Sequence, residues 1–316
     1  MPTKSLPQAQ AGGGATSDSA AISKDVDARP SPTMTGSAGP VPVWAGLALD
    51  RPRVMGVLNV TPDSFSDGGD FLDAETAIAA GRAMAAAGAD IIDVGGESTR
   101  PGSQPTPRDT ELARILPVVR GLASAGLCVS VDTRHAQTMA AALDAGAAIV
   151  NDVSALCHDA AAAPLVAARG CSVVLMHMRG SPADMYAGAV YRDVAAEVRS
   201  ELAGRIAAAE AAGIAPDRIA IDPGIGFAKT AEQSLALIRR LPELASLGRT
   251  IVIGVSRKSF LATLTGEADP RRRLPGSLVA GLFALSRGAA ILRVHDVAET
   301  VQAIAIWRAL FCDFDL

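Results

Sequence analysis

Three short apolar runs end in a small side chain that accepts hydrogen bonds. Val129-Ser-Val leads into Asp132, Ala148-Ile-Val into Asn151, and Ile219-Ala-Ile into Asp222, which Pro223-Gly224 follows. Any one of these would serve as a helix cap or a turn former. Three at equivalent places point to convergence, and two carboxylates with an amide suit a flat heterocycle carrying N–H donors and acceptors, as an aminopyrimidinone does. A second group is basic. Ser256-Arg257-Lys258-Ser259 follows the apolar run 251–255, while Arg293 and His295 stand two apart at the end of another run, on one side of an extended chain. If residues 256–259 open a helix, two cations oppose the positive end of its dipole and call for an anionic or electron-rich partner, and the i, i+2 pair could share a phosphate-rich group with it. Asn59, Asp93, Glu97, Thr99, Arg100, Asp152 and His177 also stand at or just beyond the ends of apolar runs. His177, between Met176 and Met178, reads as a structural strand-end histidine, and His135 and His158 read as surface residues. Gly224-Ile-Gly226 lacks the third glycine of a dinucleotide fingerprint and reads as a turn.

What positions these side chains is a regular alternation. From Arg53 onward, apolar runs of strand length alternate with longer stretches of helical spacing. The runs predict strands over 54–59, 91–95, 128–132, 148–151, 172–176, 219–222, 251–255 and 291–294, with Ala-rich helical faces over 77–87, 138–143 and 194–212 between them. Eight such units predict an α/β fold of the (β/α)8 barrel type, whose active site lies at the carboxyl ends of the strands. A doubly wound open sheet would be expected to carry a dinucleotide fingerprint after its first strand, where this chain has Asn59-Val-Thr-Pro-Asp63. That loop is built of turn formers around one large apolar residue, Phe65, and could close an aromatic ring over a ligand.

Composition narrows the ligand. Of 316 residues, 49% are hydrophobic and 20% charged, ample for a core. The net charge of −4 argues against nucleic acid or an anionic membrane as partner, which leaves small molecules. Cys128, Cys157, Cys171 and Cys312 are scattered without metal-ligand spacing, so free thiols and a reducing cytoplasm are expected. Residues 1–42 are rich in Gly, Ala, Ser and Pro without apolar periodicity; a disordered tail is expected there, ahead of a catalytic domain over 43–316.

The motifs together resemble those of the bacterial dihydropteroate synthases. The resemblance runs from about Val54 to Leu310 and rests on Asn59-Val-Thr-Pro-Asp-Ser-Phe-Ser-Asp-Gly-Gly69, Gly95-Gly-Glu-Ser-Thr-Arg-Pro-Gly102, Asp222-Pro-Gly-Ile-Gly-Phe227, Ser256-Arg-Lys-Ser-Phe260 and Arg293-Val-His-Asp296. Ala262 departs from it, standing where a glycine is common. The resemblance implies condensation of 6-hydroxymethyl-7,8-dihydropterin pyrophosphate with p-aminobenzoate to give 7,8-dihydropteroate and pyrophosphate. It implies pterin contacts from Asp132, Asn151, Met176, Asp222 and Lys258, and a pyrophosphate end formed by Asn59, Arg293 and His295 with Mg2+ held at Asn59. It implies a p-aminobenzoate side of Phe227, Ser256 and Arg257 completed by Phe65, Asp67, Thr99, Arg100 and Pro101. Asp67, Thr99, Arg100 and Lys258 would be the residues closest to the chemistry, and a homodimer through outer helices is implied.

Two rivals stay open on sequence. A corrinoid-dependent methyltransferase would share the barrel and the pterin carboxylates without needing the 59–69 loop or the Arg293 and His295 pair. A silent pterin-binding paralogue would have lost loop or pyrophosphate residues. The Gly, Pro, Ser and Asp content of 59–69 and 99–105 predicts loops that order only around bound pyrophosphate, so that the p-aminobenzoate pocket forms second.

Overall fold

The computed structural model describes residues 41–60, 69–97, 106–180 and 189–311. The tail expected over 1–42 lies outside them save for its last two residues, as do Phe65, Asp67, Thr99, Arg100, Pro101 and Cys312, and with them most of both loops. Eight parallel strands close into a barrel: β1 (Arg53–Asn59), β2 (Ile91–Gly95), β3 (Val129–Asp132), β4 (Ile149–Asp152), β5 (Ser172–Met176), β6 (Ile219–Asp222), β7 (Thr250–Ile253) and β8 (Ile291–Val294), with β8 paired to β1. The helices used below are α1 (Gly69–Ala86), α2 (Arg108–Ala123), α3 (Ala136–Asp144), α4 (Ala162–Arg169), α5 (Val194–Ala211), α6 (Ala231–Arg239), α7 (Ser259–Thr265), α8 (Leu274–Leu285) and α9 (Val297–Phe311). The (β/α)8 barrel expected from the alternation is the fold observed.

Period-two alternation sorts each strand into two populations. Outward residues such as Val54, Leu58, Ile92, Val94, Val131, Val150, Val173, Ile221 and Leu292 pack against the helices in one continuous core. Inward residues Met55, Ile91, Ile149, Val174, Ala220, Val252 and Ile291 fill the lumen, sealed at its amino-terminal end by Trp44. Trp44 comes from a two-stranded hairpin, Val43–Trp44 with Leu47–Ala48, and its indole N–H donates to the Arg218 carbonyl at 3.1 Å. Arg53 ties the hairpin to the barrel, its Nε donating to the Ala48 carbonyl at 2.7 Å, while Arg51 and Arg53 both bond Asp90, whose Oδ2 also takes the Val54 N–H at 2.9 Å.

Counting two residues up from the apolar lumen reaches the polar layer. Ile91 leads to Asp93, Ile149 to Asn151, Val174 to Met176, Ala220 to Asp222, Val252 to Gly254 and Ile291 to Arg293. Ladder register aligns Asn59 with Gly95, Gly95 with Asp132 and Asp132 with Asn151, so these strand ends lie side by side on the carboxyl face.

Most strand ends fall within one residue of expectation, and two larger differences near the mouth have a clear cause. β7 stops at Ile253, because β8 pairs with it only at Ile291 and Leu292 and Gly254 and Val255 find no ladder partner. The helix expected from Ser256 begins at Ser259: Arg257 has φ of 59° and Lys258 is extended, neither of which an α-helix accepts. The Gly224 turn has a stricter cause. Gly224 has φ of 66°, and a Cβ there would lie 1.9 Å from the His177 carbonyl oxygen, so no side chain fits.

Candidate active site

The polar layer lines a small cavity at the carboxyl mouth, walled by Asp132, Asn151, Met176, Asp222, Phe227, Lys258 and Arg293 together with Val153, Gly224, Ile225 and Gly254. Seven of the residues singled out from sequence are thus brought to one place. Asn59 stands at the rim of the same mouth: its Oδ1 lies 3.8 Å from where a Cβ on Gly95 would be, beside Asp132.

At the floor, Arg293 bridges two carboxylates. Its Nε donates to Asp93 Oδ2 and its Nη2 to Asp132 Oδ2, both at 2.6 Å. Burial alone would lower the guanidinium's pKa, but Asp93 and Asp132 outweigh it and hold the group well above its ordinary value. Asn151 Nδ2 donates to the same Asp93 oxygen at 3.0 Å. Arg293 therefore reaches across the mouth to β2 and β3, in the same cavity as Lys258 at the start of the helix after β7. His295 turns away from it toward Ser256.

The walls are strained electrostatically in opposite senses. Burial pushes the Asp132 carboxyl up to about 7, with Arg293 pulling it back. Burial also raises Asp222, against the Gly224 N–H that it accepts at 2.7 Å and the positive charge of Lys258. Lys258 is pushed down to about 8 by burial, with Asp222 opposing. Its ammonium lies 4.0 Å over the Phe227 ring, and Nζ makes no hydrogen bond to another described residue. Two carboxylates and one ammonium face a shared space without neutralising each other directly, which is how a site prepared for a ligand with its own donors and acceptors looks.

His295 sits at the rim. Its backbone N–H donates to Ser256 Oγ at 3.2 Å, so that hydroxyl's own proton is free for Nδ1, 3.0 Å away. Burial, then Arg257 and Arg293, push the imidazole down to about 4. A neutral ring that accepts at Nδ1 carries its proton on Nε2, leaving a donor on the side of the ring away from Ser256. Arg257 is held by Asp296 through both Nε and Nη2, by Ser277 Oγ at its N–H and by Arg273 at its carbonyl. Asp296 therefore supplies the counter-charge that the sequence demanded of a ligand.

Other residues take the plainer reading. Asp152 caps its own turn through Ser154 and Leu156. Glu97 pairs with Arg134 at 3.1 Å and accepts the Thr106 N–H. His135 and His158 pack edge to face at 5.0 Å, the latter exposed and the former half-buried. His177 is structural, as expected, with Nε2 3.0 Å from Glu201 and Nδ1 3.0 Å from Lys229. Lys229 was not singled out in the sequence. It is buried behind the cavity, bonds the carbonyls of Gly224 and Phe227 at 3.0 Å each, and is pushed down to about 7 by burial. The one signal was its place before the Thr230-x-x-Gln233 capping box, which faces a helix start toward the strand ends.

Residues 55–295 match the model of the pterin binding enzyme family. The dihydropteroate synthase of Neisseria meningitidis serogroup C is 46% identical over 267 residues, 84% of this chain and 94% of that protein. The chain belongs to the dihydropteroate synthase family of pterin-binding enzymes. Among solved structures, the Xanthomonas albilineans family member with 4-aminobenzoic acid is 48% identical with a TM-score of 0.80, covering 85% of this chain and 97% of that one. The same organism's enzyme in complex with 7,8-dihydropteroate is 46% identical with a TM-score of 0.77, over 84% and 96%. The family match spans every residue of the cavity wall.

The charge states give a test. A pterin lacking pyrophosphate should bind more tightly as pH rises through about 7, where Asp132 becomes a full acceptor, and more weakly above about 8, where Lys258 loses its proton. Lys258→Arg should remove the upper limb only, because a guanidinium stays protonated. Calorimetric titration from pH 6 to 9 checks this, and a flat profile would contradict the assigned charges.

Proposed function

We propose that this chain is a transferase that condenses 6-hydroxymethyl-7,8-dihydropterin pyrophosphate with p-aminobenzoate, forming 7,8-dihydropteroate and releasing pyrophosphate in folate synthesis. The observation that carries this reading is the set of Asp132, Asn151, Asp222 and Lys258 around one cavity with Met176 and Phe227 as apolar walls. Asp132, Asn151 and Asp222 accept from the ring's N–H groups, and Lys258 donates to a ring acceptor. These contacts relieve the unfavourable charge states left by burial, so ring binding and site chemistry reinforce each other.

The reaction breaks the bond between the exocyclic methylene carbon and the pyrophosphate oxygen, which leaves with the electron pair. The aniline nitrogen, neutral at pH 7, attacks that carbon and then loses its proton, so no strong base is required. The protein's work is to stabilise the leaving group and exclude water. His295 offers its Nε2–H to the departing oxygens. Arg293 adds positive charge beneath them once the ring engages Asp132. Asn59 contributes an amide oxygen, and among the described residues no cluster of three or more His, Cys, Asp or Glu side chains could hold a metal. That oxygen would be the protein's ligand to a Mg2+ accompanying the pyrophosphate. When bound there it would neutralise the phosphate oxygens. Phe227, Ser256 and Arg257 form the p-aminobenzoate side, with Phe65, Asp67, Thr99, Arg100 and Pro101 from the two loops completing it. Three free thiols, Cys128, Cys157 and Cys171, suit the reducing cytoplasm, and among the described residues no helix is long and apolar enough to cross a membrane.

A homodimer is part of the proposal. On α8, Val279 and Phe283 stand exposed one turn apart, and on α9 Ile306, Leu310 and Phe311 do the same. Large side chains exposed on two helices of the outer layer are what an apolar subunit interface leaves on a single protomer. Val279→Glu combined with Leu310→Glu should convert a dimer to monomers in sedimentation velocity; an unchanged sedimentation coefficient would reject this face.

The activity is tested by following pyrophosphate release. Release should require both substrates and match dihydropteroate formation one to one. Equal release from the pterin substrate alone would mark a hydrolase, and no release with both present would reject the function.

A further inference from the structure

Asp93 does not line the cavity and has no part in the reaction described above, yet it is wholly buried in the middle of β2, two residues above Ile91 of the lumen. One oxygen, Oδ2, accepts both the Arg293 Nε–H at 2.6 Å and the Asn151 Nδ2–H at 3.0 Å. The other, Oδ1, is buried with no partner among the described residues.

An asparagine amide has one accepting and one donating end. With Nδ2 committed to Asp93, the Oδ1 of Asn151 is turned the other way, and Asn151 lines the cavity. A flipped amide would set its oxygen against the Asp93 carboxylate, two acceptors within hydrogen-bond distance and out of contact with water. The amide is therefore locked in the orientation that offers an acceptor to a ring N–H. The same carboxylate grips Arg293 by Nε while Nη2 holds Asp132. When a ring takes over Asp132, Arg293 keeps a buried counter-charge on Asp93 and is not left unpaired.

We propose that Asp93 is a positioning residue of the ring pocket, fixing the Asn151 amide with its oxygen toward the ligand and anchoring Arg293 when Asp132 is taken by the ring. The proposal rests on the function inferred above. Asp93 lies below the ring pocket, and its hydrogen bonds go to Asn151 and Arg293 and to none of Phe227, Ser256 and Arg257.

The test compares Asp93→Asn with Asp93→Ser. An asparagine keeps a carbonyl oxygen where Oδ2 stands, able to accept from both Arg293 and Asn151, whereas serine is too short to reach either. For a pterin without pyrophosphate, Asp93→Asn, which keeps the acceptor but loses the counter-charge, should be weakened clearly less than Asp93→Ser, and Asp93→Ser should bind at least about tenfold more weakly than the unaltered chain, as losing buried hydrogen bonds implies. The KM for p-aminobenzoate at saturating pterin substrate should move less than about twofold in both, a split that general loss of structure does not produce. Unweakened binding by Asp93→Ser, or equal losses in the two variants, would overturn the assignment. Should Asp93→Ser not fold, the unaltered chain decides: the Asn151 side-chain amide protons, observed by NMR, should stay protected from exchange with and without bound pterin. Rapid exchange in either state would overturn it. No pterin binding by the unaltered chain would remove the functional reading and this assignment together, whereas binding with an indifferent Asp93 would remove the assignment alone.

Discussion

Arg293 is pinned between Asp93 and Asp132 inside the barrel, and most of what surrounds it follows from that. Its partner Asp93 is 200 residues away in sequence. A buried guanidinium without counter-charge is costly, and removing one member of such a pair typically costs about 3–5 kcal/mol. The pairing spans β8, β2 and β3, which come together only when the barrel closes through the β8 to β1 ladder. Folding of the sheet and assembly of the site are thus one event. The apolar lumen, plugged by Trp44, supplies the dry floor on which these charges stand.

Above that floor the site is left incomplete. Asp132 and Asp222 are held above their ordinary pKa values and Lys258 below its own, all chiefly by burial. A flat ring bearing N–H groups and an acceptor atom would complete the arrangement at each of these positions, as proposed above. Lys229 and His177 form the opposite case, a buried polar set already satisfied by Glu201 and the Gly224 turn. Satisfied networks build the scaffold and unsatisfied ones receive the ligand.

The strands were legible in the sequence because each apolar run ends in a side chain that cannot continue it, and parity then fixed which residues face the mouth. Asn151, Asp132 and Asp222 could be chosen on that basis alone. The basic residues were harder. Arg257 and Lys258 are neighbours, yet one is tied to Asp296 and the other enters the cavity, because a left-handed backbone at Arg257 splits them and sequence carries no sign of it. Lys229 stayed hidden because a lysine in a turn is read as solvated. Asp93 was visible as a carboxylate inside an apolar run, but its part in orienting Asn151 depends on which oxygen is shared, and only side-chain geometry shows that. The Trp44 hairpin lies before the first periodic segment and left no pattern to read.

That the carboxyl-end cavity binds a pterin ring through Asp222 is tested most directly by titrating Asp222→Asn with a pterin that lacks pyrophosphate. Asparagine can keep the Gly224 hydrogen bond and the shape of the turn while losing the charge that accepts from the ring. The expected result is a fold of unchanged stability with affinity lowered by about 2–5 kcal/mol, roughly thirtyfold to several thousandfold. Affinity equal to that of the unaltered chain would contradict the placement of the ring.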